Sequence, residues 1–177
     1  MLFKYLSISA LAVSTAQAAI GASDAAQSLA NLSQIAAQTQ AFADETNTTN
    51  YNQTGANISE YLGTAYIRTQ TFAESLSDGD APAYSESDQV LVTNAWTAYV
   101  SAEEALLTSL NAKREFFAGF VLPIRFFTGS LQGFSDSAAA GLLVVAPSHQ
   151  DALQTSKGEL YNAYAETIDK YQTPSDV

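Results

Sequence analysis

The sequence contains no cysteine and a single histidine, His149, among its 177 residues. Without cysteine the chain has neither disulfides nor a thiol nucleophile, and one imidazole cannot build a histidine-based metal site. The serine motif G-x-S-x-G is also missing, because the segment 133–137 reads GFSDS and lacks the final glycine. These absences predict a protein that is not an enzyme and that uses no metal or cofactor.

Basic residues are scarce as well. The chain has 7 Lys and Arg against 18 Asp and Glu, which gives a formal net charge of −11 at pH 7. Such a charge repels nucleic acid and anionic membrane surfaces and favours solubility. The composition therefore predicts no nucleic-acid partner.

Residues 1–18 have the features of an export signal. Lys4 precedes an apolar run from about Tyr5 to Val13, and the segment ends in the small-x-small sequence Ala16-Gln17-Ala18. The run is shorter than the roughly 20 residues that a membrane span needs, so we expect cleavage after Ala18 rather than anchoring. The last residues, TPSDV, carry no hydrophobic tail for exchange with a lipid anchor. We therefore predict a secreted chain whose single domain covers residues 19–177.

Four N-x-Ser/Thr sequons accompany this signal, and in a secreted protein they are candidate glycosylation sites. They start at Asn31, Asn47, Asn52 and Asn57. Three of them lie in the polar stretch NTTNYNQTGANIS, which we expect to be an exposed loop.

Apolar residues recur at helical spacing throughout the rest of the chain. The pattern predicts five helices: one capped by Ser23 and Asp24, one from about Ile58 to Leu76, one starting at the capping box Ser85-x-x-Asp88 and exceeding about 30 residues, one with Pro123 in its first turn and ending at Val145, and one starting at the capping box Ser148-x-x-Asp151. If Pro123 only kinks a continuous helix, the number falls by one. The predicted fold is an all-α antiparallel bundle of about five helices in a single domain.

Phenylalanine is concentrated between residues 116 and 134, which hold six of the nine in the chain. Five apolar residues of this segment fall on one helical face, namely Phe120, Ile124, Phe127, Leu131 and Phe134. Phe116, Leu122 and Phe126 lie off that face, and Phe117 continues the apolar face of the preceding helix. A helix that is apolar on two sides is either a buried central helix or one that covers a ligand or an external apolar surface. These nine residues are the candidate apolar-binding or lipid-binding site.

Cations flank the same segment in this acidic chain. Arg114 and Arg125 are candidate headgroup ligands, because a guanidinium pairs with a carboxylate while the aliphatic tail lies along phenylalanine side chains. The alternative is that they pair with nearby glutamates or extend a buried stem toward solvent.

The chain resembles the fungal hydrophobic surface-binding protein A family, which also includes Mp1-type cell-wall galactomannoprotein antigens. The resemblance rests on the secreted, cysteine-free helical pattern, on the step Lys113-Arg114-Glu115-Phe116 after a Leu-rich helix, and on the closing segment YAETIDKY at 164–171. It implies adsorption to hydrophobic surfaces, in one branch with recruitment of a secreted polyester-degrading esterase. In the antigen branch it implies enclosure of a fatty acid in a helical bundle. The Ser/Thr-rich tail of wall-attached antigens is missing here, which favours a released protein over a cell-wall one.

Two modes of binding apolar matter are therefore open, surface adsorption and enclosure of a fatty acid between helices. The alternative from another class is a structural or antigenic cell-wall glycoprotein without a small-molecule ligand, which the sequons favour.

Overall fold

The computed structural model describes residues 20–77 and 81–172, and every regular element in these ranges is helical. The five α-helices are α1 (Ala22–Glu45), α2 (Tyr51–Ser75), α3 (Glu86–Ala112), α4 (Val121–Val145) and α5 (Gln150–Lys170), and two short 3-10 helices span Arg114–Phe120 and Pro147–His149. The predicted all-α bundle of five helices is confirmed. The predicted signal peptide lies outside the described residues.

The five helices form a ring in the order α1, α3, α5, α4, α2 and back to α1. Helices that follow each other in the chain run in opposite directions, as predicted, but several neighbours in space run in the same direction. The Tyr84 hydroxyl, just before α3, donates to the Ile20 carbonyl, just before α1, at 2.5 Å. The Lys113 ammonium, just after α3, donates to the Thr46 carbonyl, just after α1, at 3.0 Å. The two helices therefore run parallel. The chain therefore crosses over between α2 and α3 instead of folding as a simple meander.

The interior of the ring is filled by large side chains. Trp96, Tyr99, Phe117, Tyr164 and Tyr171 are fully buried. The polar atoms of these aromatics are satisfied across helices: the Trp96 indole N–H donates to Ser156 Oγ at 2.9 Å, and the Tyr171 hydroxyl donates to the Leu110 carbonyl at 2.8 Å. These long-range bonds fix the register of α5 against α3.

A buried carboxyl group lies among these aromatics. Glu103 of α3 is 1% exposed, and it accepts a hydrogen bond of 3.1 Å from the Tyr164 hydroxyl. The neighbouring Tyr99 hydroxyl is 3.0 Å from Ser135 Oγ of α4. Burial raises the pKa of Glu103 to about 7, because removal from water penalises its charged form more than the Tyr164 hydrogen bond stabilises it.

Two predicted helix caps are wrong. Helix α1 follows Gly21, so Ser23 and Asp24 lie in its first turn, and no side chain caps it. Ser148 lies in the 3-10 turn before α5 and its backbone N–H donates to Gln89 Oε1 at 3.0 Å. The turn after Pro147 is thus held by a distant side chain that a local pattern does not reveal. The Ser85 cap is confirmed, because its hydroxyl accepts from the Asp88 N–H.

Two predicted boundaries also differ. Helix α2 begins at Tyr51 rather than near Ile58, because Thr54 and Gly55 are buried there and give the polar stretch an inner face. Helix α3 ends at Ala112 after 27 residues, short of the predicted length. The chain departs from helical geometry at Phe117, whose ring inserts into the core. Pro123 occupies the first turn of α4, as predicted.

Within the described residues, no helix combines the length and apolar character that crossing a bilayer requires.

Candidate apolar-binding site

The Phe-rich segment forms the 3-10 helix 114–120 and the first half of α4. Eight of the nine candidate side chains divide into three groups that point in different directions, and Phe116 lies apart from them. Phe117, Ile124 and Leu131 are fully buried and belong to the core of the ring. In this conformation they are accessible only to a ligand enclosed between the helices.

A second group lies along the seam between α4 and α2. Phe120, Phe127 and Phe134 are half-buried there. The Phe120 ring lies where a side chain on Gly55 would be, and Phe127 comes within 3.3 Å of the Cβ position of Gly63. Tyr66 of α2 completes the seam with its ring 6.1 Å from Phe127 and 5.6 Å from Phe134. Helix α2 thus shields most of this aromatic face.

The third group faces solvent. Leu122 and Phe126 are 67% and 62% exposed, and they are four residues apart on α4, so they share one face. Gly119 and Gly133 flank this face, and no other side chain approaches their Cβ positions within 4 Å. We call Leu122 and Phe126 the outer strip. It is an apolar surface that is mostly exposed, and the described residues cover it only where the Tyr66 and Phe127 rings meet Phe126.

A groove continues from the outer strip to one end of the bundle. Its volume is about 510 Å³, and it is open to solvent. The lining is mostly apolar and consists of Arg114, Ala118, Gly119, Val121, Leu122, Pro123 and Gln172. We call it the Arg114 groove. It places an aliphatic wall and a cation next to each other, as a fatty-acid carboxylate and its chain require.

The Arg114 side chain is held in place at this groove. Its Nε donates to the Lys170 carbonyl at 2.9 Å, and its guanidinium lies 5.0 Å from the centre of the Tyr171 ring. A stacked guanidinium loses little further freedom when it binds an anion. Of the two predicted headgroup residues, Arg114 is therefore next to the apolar groove, and Arg125 lies on α4 outside its lining.

Phe116 is separate from the other candidates. It is half-buried, and the Lys113 ammonium lies 5.7 Å from its ring centre. The Lys113 ammonium also donates to the Thr46 carbonyl at 3.0 Å, which ties the 3-10 segment to the α1–α2 turn. Phe116 thus takes part in a structural contact at the end of the bundle.

The predicted glycosylation sites occupy different surroundings. Asn47 is exposed in the turn between α1 and α2, and its Oδ1 accepts from the Thr49 N–H at 2.9 Å. The expectation that the whole stretch is a loop is wrong, since Asn52 and Asn57 lie in α2. Asn31 lies in the middle of α1 and is half-buried. Asn47 is thus the sequon whose asparagine lies outside a helix.

The sequence pattern missed the contribution of α2 to this region. Ile67, on α2, is 61% exposed, and Tyr66 beside it lies 6.3 Å from the Phe126 ring. The closely spaced glycines of α2, Gly55 and Gly63, were the available signal, because small residues mark places where a bulky partner approaches a helix.

No family model and no curated protein sequence matches this chain. Among solved structures, the chain is similar to the crystal structure of AfMP4p in complex with palmitic acid. The TM-score is 0.75, the alignment covers 86% of this chain and 100% of that chain, and 16% of the residues are identical. This likeness shows a shared helical fold, and it supports the antigen branch of the resemblance at the level of the fold.

Proposed function

We propose that this chain is a secreted, noncatalytic protein that binds fatty-acid-like lipids and hydrophobic surfaces through the outer strip and the Arg114 groove. The observation that carries the proposal is the 67% exposure of Leu122 beside a cation that is held in position. The palmitic acid bound by the structurally similar AfMP4p supports a fatty acid as the ligand.

The geometry suits an amphiphile better than a wholly apolar molecule. A carboxylate at Arg114 would leave its chain along Val121, Leu122 and Pro123, and each CH₂ removed from water contributes about 0.8 kcal/mol. Phe126 extends the same face and would contact either the end of a long chain or a solid apolar surface.

Enclosure of the lipid inside the ring would require a change of packing. The centre is filled by Trp96, Tyr99 and Tyr164, which are fully buried and bonded across helices. A ligand would therefore have to move these rings before it could enter. Binding at the outer strip and the Arg114 groove requires no such rearrangement.

The test compares the wild type with the double variant L122S/F126S. Native mass spectrometry of delipidated protein with added palmitate should show saturable binding of one or two molecules. The double variant should bind about tenfold more weakly, because it removes two apolar contacts. Binding to a polyester film should fall in parallel.

Leu91→Ser is the matched control, because Leu91 is an exposed leucine on α3, outside the outer strip. It should bind palmitate as the wild type does. Equal weakening by Leu91→Ser and by the double variant would contradict the proposal. Absence of both palmitate and film binding in the wild type would instead favour a structural wall glycoprotein.

Recruitment of a polyester-degrading esterase is a further part of the proposal. It predicts that film-bound protein retains more esterase than a bare film does, and that the double variant abolishes the difference.

A further inference from the structure

A second surface of the molecule combines an apolar floor with a cation. It is the seam between α1 and α2, where Leu32 and Phe72 lie at the bottom of an open groove whose exposed lining is mostly apolar. Ile20 closes one end of this groove, and Arg68 stands on α2 at the other. We call it the α1–α2 groove. It shares no residue with the Arg114 groove.

Arg68 differs from the other basic residues of the described chain. Lys113 and Arg114 donate to the Thr46 and Lys170 carbonyls, and Lys157 and Lys170 pair with Asp136 and Glu166 at 3.4 and 2.6 Å. Arg125 also has an interaction partner. Arg68 is exposed and makes no hydrogen bond or ion pair with any described residue.

Arg68 is thus an exposed cation without a partner among the described residues of an acidic chain with a net charge of −11. Glu60 lines the adjoining groove two helical turns from Arg68 on α2, which is too far for an ion pair. The α1–α2 groove therefore places a cation at one end of an apolar floor. An anionic headgroup at Arg68 would leave its attached chain over Leu32 and Phe72.

We propose that the α1–α2 groove is a second lipid site, which binds a medium-chain fatty acid with its carboxylate on Arg68 and its chain over Leu32 and Phe72. The guanidinium offers paired N–H donors that match a carboxylate. The lining of the groove runs along α2 from Arg68 to Ser75, about 10 Å at 1.5 Å per residue, which an extended medium-chain acid spans.

Asn31 adds a constraint on this site. It lines both the α1–α2 groove and the adjoining groove, as Arg68 does, and it starts one of the sequons. A glycan on Asn31 would stand at the mouth of the groove and compete with the fatty acid. The experiment therefore uses full-length mature protein produced without N-glycans.

The test is a titration of isotopically labelled protein with decanoate, followed by amide shifts in NMR spectra. The largest shifts should occur around Leu32, Arg68 and Phe72. Arg68→Gln should lower decanoate affinity at these positions about fivefold, the range expected for an exposed charged pair, and Arg68→Lys should lower it less. Binding of uncharged decanol should not change with Arg68→Gln.

Arg114→Gln is the matched control, since it removes the cation of the other groove and should leave the shifts along α1 and α2 unchanged. Equal decanoate affinity in wild type and Arg68→Gln would overturn the inference, as would shifts confined to residues around Leu122. Thermal melts followed by Trp96 fluorescence verify that the exposed substitution leaves the fold intact. Binding in the α1–α2 groove and binding in the Arg114 groove are measured at different residues. The loss of binding at one groove therefore leaves the test of the other valid.

Discussion

Helix α4 presents the same residue types to two different environments. On its inner side Phe127 and Phe134 pack against Gly63 and Tyr66 of α2, whereas on its outer side Leu122 and Phe126 project into solvent. The inner rings are shielded because α2 provides small residues opposite them. Nothing in the described chain does the same for the outer strip. The inner face of this helix therefore contributes to packing, and the outer face carries the proposed binding of apolar matter.

The largest effect on stability should come from the core side. Phe117→Ala should lower the free energy of unfolding by about 3–5 kcal/mol, because it leaves a cavity at a fully buried ring. Phe126→Ala should lower it by no more than about 1.5 kcal/mol, because most of this side chain is exposed and its remaining contacts are with the Tyr66 and Phe127 rings. Chemical denaturation followed by Trp96 fluorescence measures both. Equal losses in the two variants would show that Phe126 supports the fold as much as Phe117 does.

The buried carboxyl of Glu103 on α3 should make the free energy of unfolding depend on pH. The pKa of Glu103 is about 7 in the folded chain and near 4.5 when unfolded. Between these values the unfolded state has lost a proton that the folded state keeps, so the free energy of unfolding falls as pH rises from about 4.5 to about 7.

The expected loss across that window is about 3 kcal/mol, and stability is then constant above pH 7 as far as Glu103 is concerned. Glu103→Gln should remove this part of the pH dependence, because the amide can still accept from Tyr164 but does not ionise. Denaturation curves between pH 4 and 8 check it. An unchanged slope in the variant would show that other groups cause the dependence.

Glycine substitutions test the packing of the α4–α2 seam and of the outer face separately. Gly55→Ala should lower the free energy of unfolding by about 1–3 kcal/mol, because its Cβ would overlap the Phe120 ring. Gly133→Ala should raise it by up to about 1 kcal/mol, since alanine favours the helix and meets no neighbour there. Thermal denaturation of the pair tests this. Destabilisation by Gly133→Ala would show that the outer face is packed after all.

The smallest effect on stability is expected at the Arg114 groove. Arg114→Gln removes one exposed hydrogen bond and a ring contact, so it should destabilise the fold by no more than about 1 kcal/mol. It should nevertheless weaken palmitate binding several-fold at neutral pH. Isothermal titration of wild type and variant measures the difference, and equal palmitate affinity would remove Arg114 from the headgroup role.

Much of the fold could be predicted from periodicity, including five helices, the Ser85 cap and the position of Pro123. The ring order could not, because it depends on distant contacts such as Trp96 with Ser156. The outer strip was visible as apolar residues off the main face. Arg68 was not among the predicted site residues, because its missing partner and the apolar groove beside it are features of the fold that a linear sequence does not show.

We propose that lipid contacts the outer face of α4 and not its inner side. Titration with a nitroxide-labelled stearate, followed by paramagnetic broadening of assigned side-chain signals, tests this contact. We expect the strongest broadening at Leu122 and Phe126 and little at Leu91. Strongest broadening at the core residues Phe117 and Leu131 would contradict it.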